Sequence, residues 1–195
     1  MNHRIAHIAL TLVLLSPLAH GHAQRKTLFD GGMLLHTGYM RGHLSALNYE
    51  AKGMTYGIGG LLRFHLGQHL RVGTEGFVST MSQMGNGSYV RTGFGGLLAD
   101  AYWRVGRWLP FAGLTVGGGS TSTLLMFEGE ATDWQPESRV VLHNQAFVFA
   151  DPYVGVAFAL NEAVHLNFRI DRMVPLSRID MHTGIRCYVG FVFAH

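Results

Sequence analysis

Charge is what this sequence most lacks. Asp, Glu, Lys and Arg make up 14% of its 195 residues, against about 25% in a typical soluble domain. Lysine is almost missing, since only Lys26 and Lys52 occur. A water-facing surface draws roughly 25–35% of its residues from these four types, and this chain does not have them. Long hydrophobic runs are missing as well. After the N-terminal segment no stretch of about 18 apolar residues exists, so no segment reads as a membrane helix. A hydrophobic exterior without helices leaves a closed β-barrel, the other structure that satisfies every backbone group in lipid. The lone cysteine, Cys187, excludes an intrachain disulfide. No Lys/Arg run is present, which excludes the usual footprint of a nucleic-acid binder.

The N-terminus reads as an export signal. Arg4 supplies a positive start, Ile5 to Leu15 an apolar run, and Leu18-Ala19-His20-Gly21-His22-Ala23 a small-residue cleavage site. We therefore expect a cleaved signal peptide over 1–23 and one domain over 24–195. Cleavage removes one Arg and no acid. It leaves 14 basic against 12 acidic side chains, a balance that favours no partner of one sign.

Alternation with period two dominates the rest. Met54, Tyr56, Ile58, Leu62, Phe64 and Leu66 share a face, with Arg63 and His65 opposite. Leu70, Val72 and Val78 follow in the same parity, so an odd loop, Gly67-Gln68-His69, joins the two strands. Leu97, Ala99, Ala101, Trp103 and Val105 form the next apolar face, with Asp100 and Arg104 behind. After Gly106-Arg107 the parity flips to Trp108, Pro110, Ala112, Leu114 and Val116. A two-residue loop requires that flip, and Gly at its first position suits a type II′ turn. Val154, Val156, Phe158 and Leu160 lead through Asn161-Glu162-Ala163 to Val164, Leu166, Phe168 and Ile170. A first strand over 31–40 and a last over 183–195 complete eight. Three short turns fall on one side. Longer loops, about 41–53, 81–88, 119–145 and 173–182, fall on the other, as in an outer-membrane barrel. The strands beside the 119–145 loop are expected to continue past the membrane.

By parity Arg63, Arg71, Glu75, Asp100, Arg104, Arg169, Asp171 and Arg186 face the lumen. Eight strands enclose a space just wide enough for side chains, so these charges must pair or reach water. The pattern implies a structural ion-pair plug; a gated path for ions needs a wider barrel. Trp103, Trp108, Tyr153 and Tyr56 are candidates for the interfacial aromatic girdles. Cys187 falls on the lipid face. The histidines, among them His36, His43, His69, His143, His165 and His182, lack a ligand spacing such as His-Glu-x-x-His, so neither a metal nor a cofactor is expected. Gly57-Ile-Gly-Gly60 and Gly117-Gly-Gly119 mark bends and close packing.

This layout, closed by the alternating aromatic strand Cys187-Tyr-Val-Gly-Phe-Val-Phe-Ala-His195, resembles the small eight-stranded outer-membrane barrels of the OmpX and OmpA transmembrane type. The resemblance covers 27–195. It implies an all-β, antiparallel, up-and-down transmembrane barrel in the cell outer membrane, with outer-membrane lipid around it. It also implies that the barrel-assembly machinery reads the C-terminal strand; such families commonly end in Phe, where this chain has His195.

The role expected is non-enzymatic: envelope structure or surface interaction. Glu128, Glu130, Asp133, Trp134 and Arg139 of the third long loop are the candidate contacts with an extracellular or envelope partner. Two other classes compete. A barrel binding or transporting a small apolar molecule predicts an apolar cavity, and a soluble lipocalin-like form would put charge outside. A lipid-A-modifying enzyme is suggested by Gly42-His43-Leu44-Ser45 with Glu50 nearby, which resembles the His-x-Ser pair and Glu of one lipid-A deacylase family.

Overall fold

A computed structural model of the chain describes residues 28–44, 49–83, 88–128, 138–177 and 181–195, with side-chain surroundings for 28–42, 50–82, 88–124, 142–177 and 184–195. The expected signal peptide lies outside the described residues. Eight strands run in order: β1 (Phe29–Leu44), β2 (Tyr49–Leu66), β3 (Leu70–Gln83), β4 (Ser88–Tyr102), β5 (Trp108–Glu128), β6 (Ser138–Ala159), β7 (Val164–Arg172) and β8 (Met181–Ala194). After Met173 a short extension of β7, Val174–Pro175, pairs again with β6. Each strand is antiparallel to the next, and β8 returns to β1 through pairs such as Leu35–Val189, so the sheet closes on itself. Closure removes the sheet edges that lipid could not satisfy.

The alternation that predicts the strands also sorts their faces. Along β4 burial alternates from Ser88 to Tyr102. The exterior is a belt of bare apolar side chains, with Met33 64%, Leu35 57%, Leu97 75% and Ile185 60% exposed. In water such a belt would be unfavourable by about 25 cal/mol per Å²; against hydrocarbon it is favourable. Among the described residues no helix is long and apolar enough to cross a membrane.

The three short turns form as their chemistry dictates. Gly67 takes φ +74° and Gly106 φ +63°, conformations that side chains resist. At Gly106-Arg107 the flanking Val105 and Trp108 exchange backbone hydrogen bonds of 2.8 and 3.0 Å. Asn161 closes the third turn, its Oδ1 accepting from the Ala163 and Val164 amides at 2.9 and 2.7 Å. The first described residues of β1 and the last of β8 meet at this turn end of the barrel, where His195 and Phe29 bond through their backbones.

At the other end the strands beside the third loop continue past the belt, as expected, but the loop boundaries differ. The strands take up most of the supposed loops 41–53 and 119–145 and the margins of 81–88 and 173–182. Arg41–Leu44 belongs to β1, Gly119–Glu128 to β5 and Ser138–Gln145 to β6. The cause is a change of side chain and not of backbone. Above the apolar belt the outward residues become Ser120, Ser122 and Asn144, so both faces turn polar while the ladder continues unbroken to Glu128–Ser138.

Candidate functional site

The interior is best followed along β3, whose inward residues from the turn end are Arg71, Gly73, Glu75, Phe77, Ser79 and Met81. They mark four levels: two of charge, one of rings, and an outermost one where hydroxyls adjoin apolar side chains such as Met81.

At the first level β1, β2, β3 and β4 bring together Asp30, Arg63, Arg71 and Asp100. Arg63 Nε donates to Asp30 Oδ1 at 2.6 Å and its Nη1 to Asp100 Oδ2 at 3.2 Å. Arg71 Nε donates to Asp100 Oδ1 at 2.6 Å, and its Nη1 reaches Asp30 Oδ2 at 3.5 Å. Two guanidinium groups and two carboxylates thus alternate in a ring. His65 Nε2 lies 2.9 Å from Asp30 Oδ2, and its Nδ1 lies 3.1 Å from the Tyr102 hydroxyl. The Arg71 guanidinium sits 4.6 Å over the Tyr102 ring.

The second level adds β5, β6, β7 and β8. Arg169 forks onto both Glu75 oxygens, and its Nη2 also donates to Asp171 Oδ2 at 3.1 Å. Arg186 Nε donates to Asp171 Oδ1 at 2.8 Å while its Nη2 holds Asp151 Oδ2. Thr115 Oγ1 donates to Glu75 at 2.7 Å. Tyr153 joins the levels, donating to Asp100 Oδ2 at 3.3 Å with its ring 3.9 Å from the Arg169 carbon. Arg63, Arg71, Arg169 and Arg186 are each at most 3% exposed. Ion pairs this dry draw on far stronger Coulomb forces than surface pairs, and breaking one leaves a charge that neither water nor a partner compensates.

The third level is aromatic. Phe77 stacks on Phe94 at 5.7 Å and meets Tyr188 at 5.1 Å, while Phe94 meets Phe149 edge-on at 5.9 Å. His36 lies among them, 4.9 Å from the Tyr188 ring, with Nε2 3.2 Å from Ser79 Oγ. Inward glycines on neighbouring strands make room for these large groups. A Cβ on Gly119 would come within 2.6 Å of Phe147, and one on Gly113 within 2.6 Å of Tyr153. Beyond the rings the lumen holds hydroxyls, Thr92 and Thr121 bonding at 3.1 Å, and then the buried apolar side chains of Met40, Met81 and Val90.

Sequence parity places seven of its eight charges here; Arg104 is the exception. It is exposed, because β4 ends at Tyr102 and the chain is already entering the Gly106 turn. Asp30 and Asp151 were missed, although both share the parity of named inward residues. Tyr153 is a lumen residue, not a girdle residue, buried to 4%; Trp108 and Tyr56 are exposed on the exterior, and Trp103 is half-buried. Of the candidate contacts, Glu130, Asp133 and Trp134 lie outside the described residues. Glu128 and Arg139 sit on the β5 and β6 ladder opposite Ser138 and Phe127. Ser45 of the His43–Ser45 pair lies outside the described residues, and the side-chain surroundings of His43 are not described. Among the described residues no group of three or more His, Cys, Asp or Glu could hold a metal ion.

No protein-family model matches the chain, and no curated protein sequence matches it. Solved structures do. Neisserial surface protein A superposes with a TM-score of 0.56 at 13% identity, over 87% of this chain and 98% of its own. The attachment invasion locus protein Ail of Yersinia pestis, solved with the heparin analogue sucrose octasulfate, gives 0.52 at 9% identity, over 86% and 99%. At such identities the likeness is one of fold. The chain is an all-β, closed, antiparallel eight-stranded barrel with the fold of the small outer-membrane barrels.

Proposed function

We propose that this chain is a non-enzymatic outer-membrane barrel with a blocked lumen, which acts through the surface it presents at its loop end. Residues 1–23 would direct export, and the strand Cys187–His195 would be read by the barrel-assembly machinery. The short turns, with the start of β1 and the end of β8, then face the periplasm, and the long β5–β6 ladder faces outward.

One observation carries the reading. The lumen is occupied in series by the ring of Asp30, Arg63, Arg71 and Asp100, by the Glu75–Arg169–Asp171–Arg186–Asp151 chain, and by the Phe77, Phe94, Phe149 and Tyr188 layer. A hydrated ion would have to break several dry ion pairs and displace packed rings to pass. An apolar solute would have to cross two charged levels. Neither route fits transport along the axis, so the work is left to the exterior.

Planar-bilayer recording tests this. The purified, refolded barrel is expected to give no resolved conductance steps in 1 M KCl. Steady steps that scale with salt would contradict the blocked lumen.

A further inference from the structure

The turn end carries a cleft that is separate from the lumen plug. It opens between the β4–β5 and β6–β7 turns, has a volume of about 230 Å³, and counts Arg104, Arg107, Leu160, Asn161 and Glu162 among its lining residues. Gly106, at φ +63°, turns the chain tightly ahead of Arg107. The Arg107 carbonyl accepts from the Ala159 amide at 2.8 Å. Its guanidinium returns across the cleft, Nε donating to the Ala159 carbonyl at 3.0 Å and Nη2 to the Leu160 carbonyl at 2.7 Å. Two neighbouring hairpins are thereby locked together. On the β6–β7 side, Asn161 Oδ1 holds the Ala163 and Val164 amides and fixes the bend that carries Glu162.

The lock leaves charge unused. A guanidinium has five N–H donors, and Arg107 Nη1 meets no acceptor among the described residues. Glu162 is exposed and has no hydrogen bond or ion pair to a described residue. One cleft therefore holds a cation with donors to offer and an anion with acceptors to offer.

Its height in the barrel points to the ligand. The Arg107 guanidinium carbon stands 5.0 Å over the Phe158 ring, and Phe158 packs on Trp108 at 4.7 Å. Trp108 is 51% exposed on the outer face, and the outward row continues through Leu114 and Val154 into the apolar belt. The cleft thus sits where the belt gives way to water, the height at which aromatic girdles meet lipid headgroups.

We propose that this cleft seats the headgroup of a phospholipid bearing a primary ammonium, of the phosphatidylethanolamine kind, with the phosphodiester on Arg107 and the ammonium on Glu162. A guanidinium offers a phosphate charge-assisted N–H bonds from a planar fork. A primary ammonium offers a carboxylate three N–H donors. A choline headgroup has none of these donors, and a glycerol headgroup has no positive charge. The acyl chains then run over Trp108 and Phe158 into the belt. The site rests on the belt lying in a bilayer, whether or not the lumen conducts.

The test titrates the refolded, delipidated barrel in detergent with phosphatidylethanolamine, phosphatidylcholine and phosphatidylglycerol of the same acyl chains. Native mass spectrometry reads the lipid retained. The ethanolamine lipid should reach half-occupancy at a concentration about fivefold lower than the other two, the upper end of what one exposed ion pair supplies. Glu162→Gln should abolish its advantage over the choline lipid, and Glu162→Lys should move the preference to the glycerol lipid. Glu162 has no protein partner to lose, so both variants should keep the folded gel band. Arg107→Gln, where it folds, should weaken all three lipids. Glycerophosphoethanolamine, the headgroup without acyl chains, should not displace the lipid. Equal retention of the three lipids overturns the proposal, as does a preference that survives Glu162→Gln. Displacement by the soluble headgroup would identify a site for a free metabolite and overturns it too. Conductance steps in planar bilayers would refute the blocked lumen and leave the lipid preference untouched, so the two failures are distinguishable.

Discussion

Replacing Arg169 by Met probes the dryness of the lumen. Glu75 is 5% exposed and takes both prongs of the Arg169 guanidinium. Without them it keeps one neutral donor, Thr115 Oγ1 at 2.7 Å. Removing one partner of a buried pair costs about 3–5 kcal/mol, because the other charge stays behind without compensation. Asp171 loses a bond too but retains Arg186, so the damage centres on Glu75. Changing Glu75 to Gln in the same chain removes the stranded charge, and the amide oxygen can still accept from Thr115. The double variant should therefore be more stable than Arg169→Met alone, with a coupling of about 2–3 kcal/mol in the cycle. Urea unfolding of vesicle-embedded protein, followed by tryptophan fluorescence, measures all four corners. A loss under about 1 kcal/mol for Arg169→Met, or strict additivity, would mean that water screens Glu75. The account of a dry plug would then be refuted.

Other expectations follow from single positions. Gly113→Ala should lose about 1–3 kcal/mol through overpacking, because its Cβ would strike the Asp100 and Tyr153 side chains. Gly76→Ala, whose Cβ meets only the Phe94 carbonyl oxygen at 3.9 Å, should stay within about 0.5 kcal/mol in the same urea assay. Leu35→Arg places a charge on the apolar belt and should cost about 2–4 kcal/mol in vesicles if the site lies near the bilayer centre; a neutral outcome would argue that the belt faces water. Gly106→Ala forces a side chain to φ +63° and should cost about 1–3 kcal/mol, read as a lower urea midpoint.

What the sequence disclosed was the part where one face differs chemically from the other. Through the belt, Met54 to Leu66 and Val164 to Ile170 alternate outward apolar residues with inward ones such as Arg63, His165 and Arg169, and parity alone fixes both the faces and the lengths of the Gly67–His69 and Gly106–Arg107 turns. The signal disappears where both faces share a character. Gly119 to Thr123 reads as loop because Ser points outward while Gly and Thr point inward, yet the backbone continues as β5. The same effect hid half of the lumen. Phe77, Phe94 and Phe149 point inward among glycines, and an apolar inward residue breaks the expected polarity even though its parity matches Glu75, Asp100 and Asp151. Asp30 escaped because Gly31 and Gly32 separate it from the first alternating pair, although its parity is that of His36. Arg104 was misplaced for the opposite reason, since parity was extended one step past the end of β4. How far β6 outreaches β7 is a matter of relative strand height, which no single strand's pattern carries.

The sole cysteine offers the most direct test of the membrane barrel. Cys187 is exposed on the outer face of β8, between Ile185 and Val189 in the apolar belt. The unfolded chain is labelled there with a small fluorophore and refolded into vesicles. Quenching by lipids carrying spin labels along the acyl chain is then compared with quenching by iodide in water. The account predicts strong quenching from the acyl chain and little from iodide. Strong iodide quenching with none from the lipid chains would put the belt in water and contradict the transmembrane barrel.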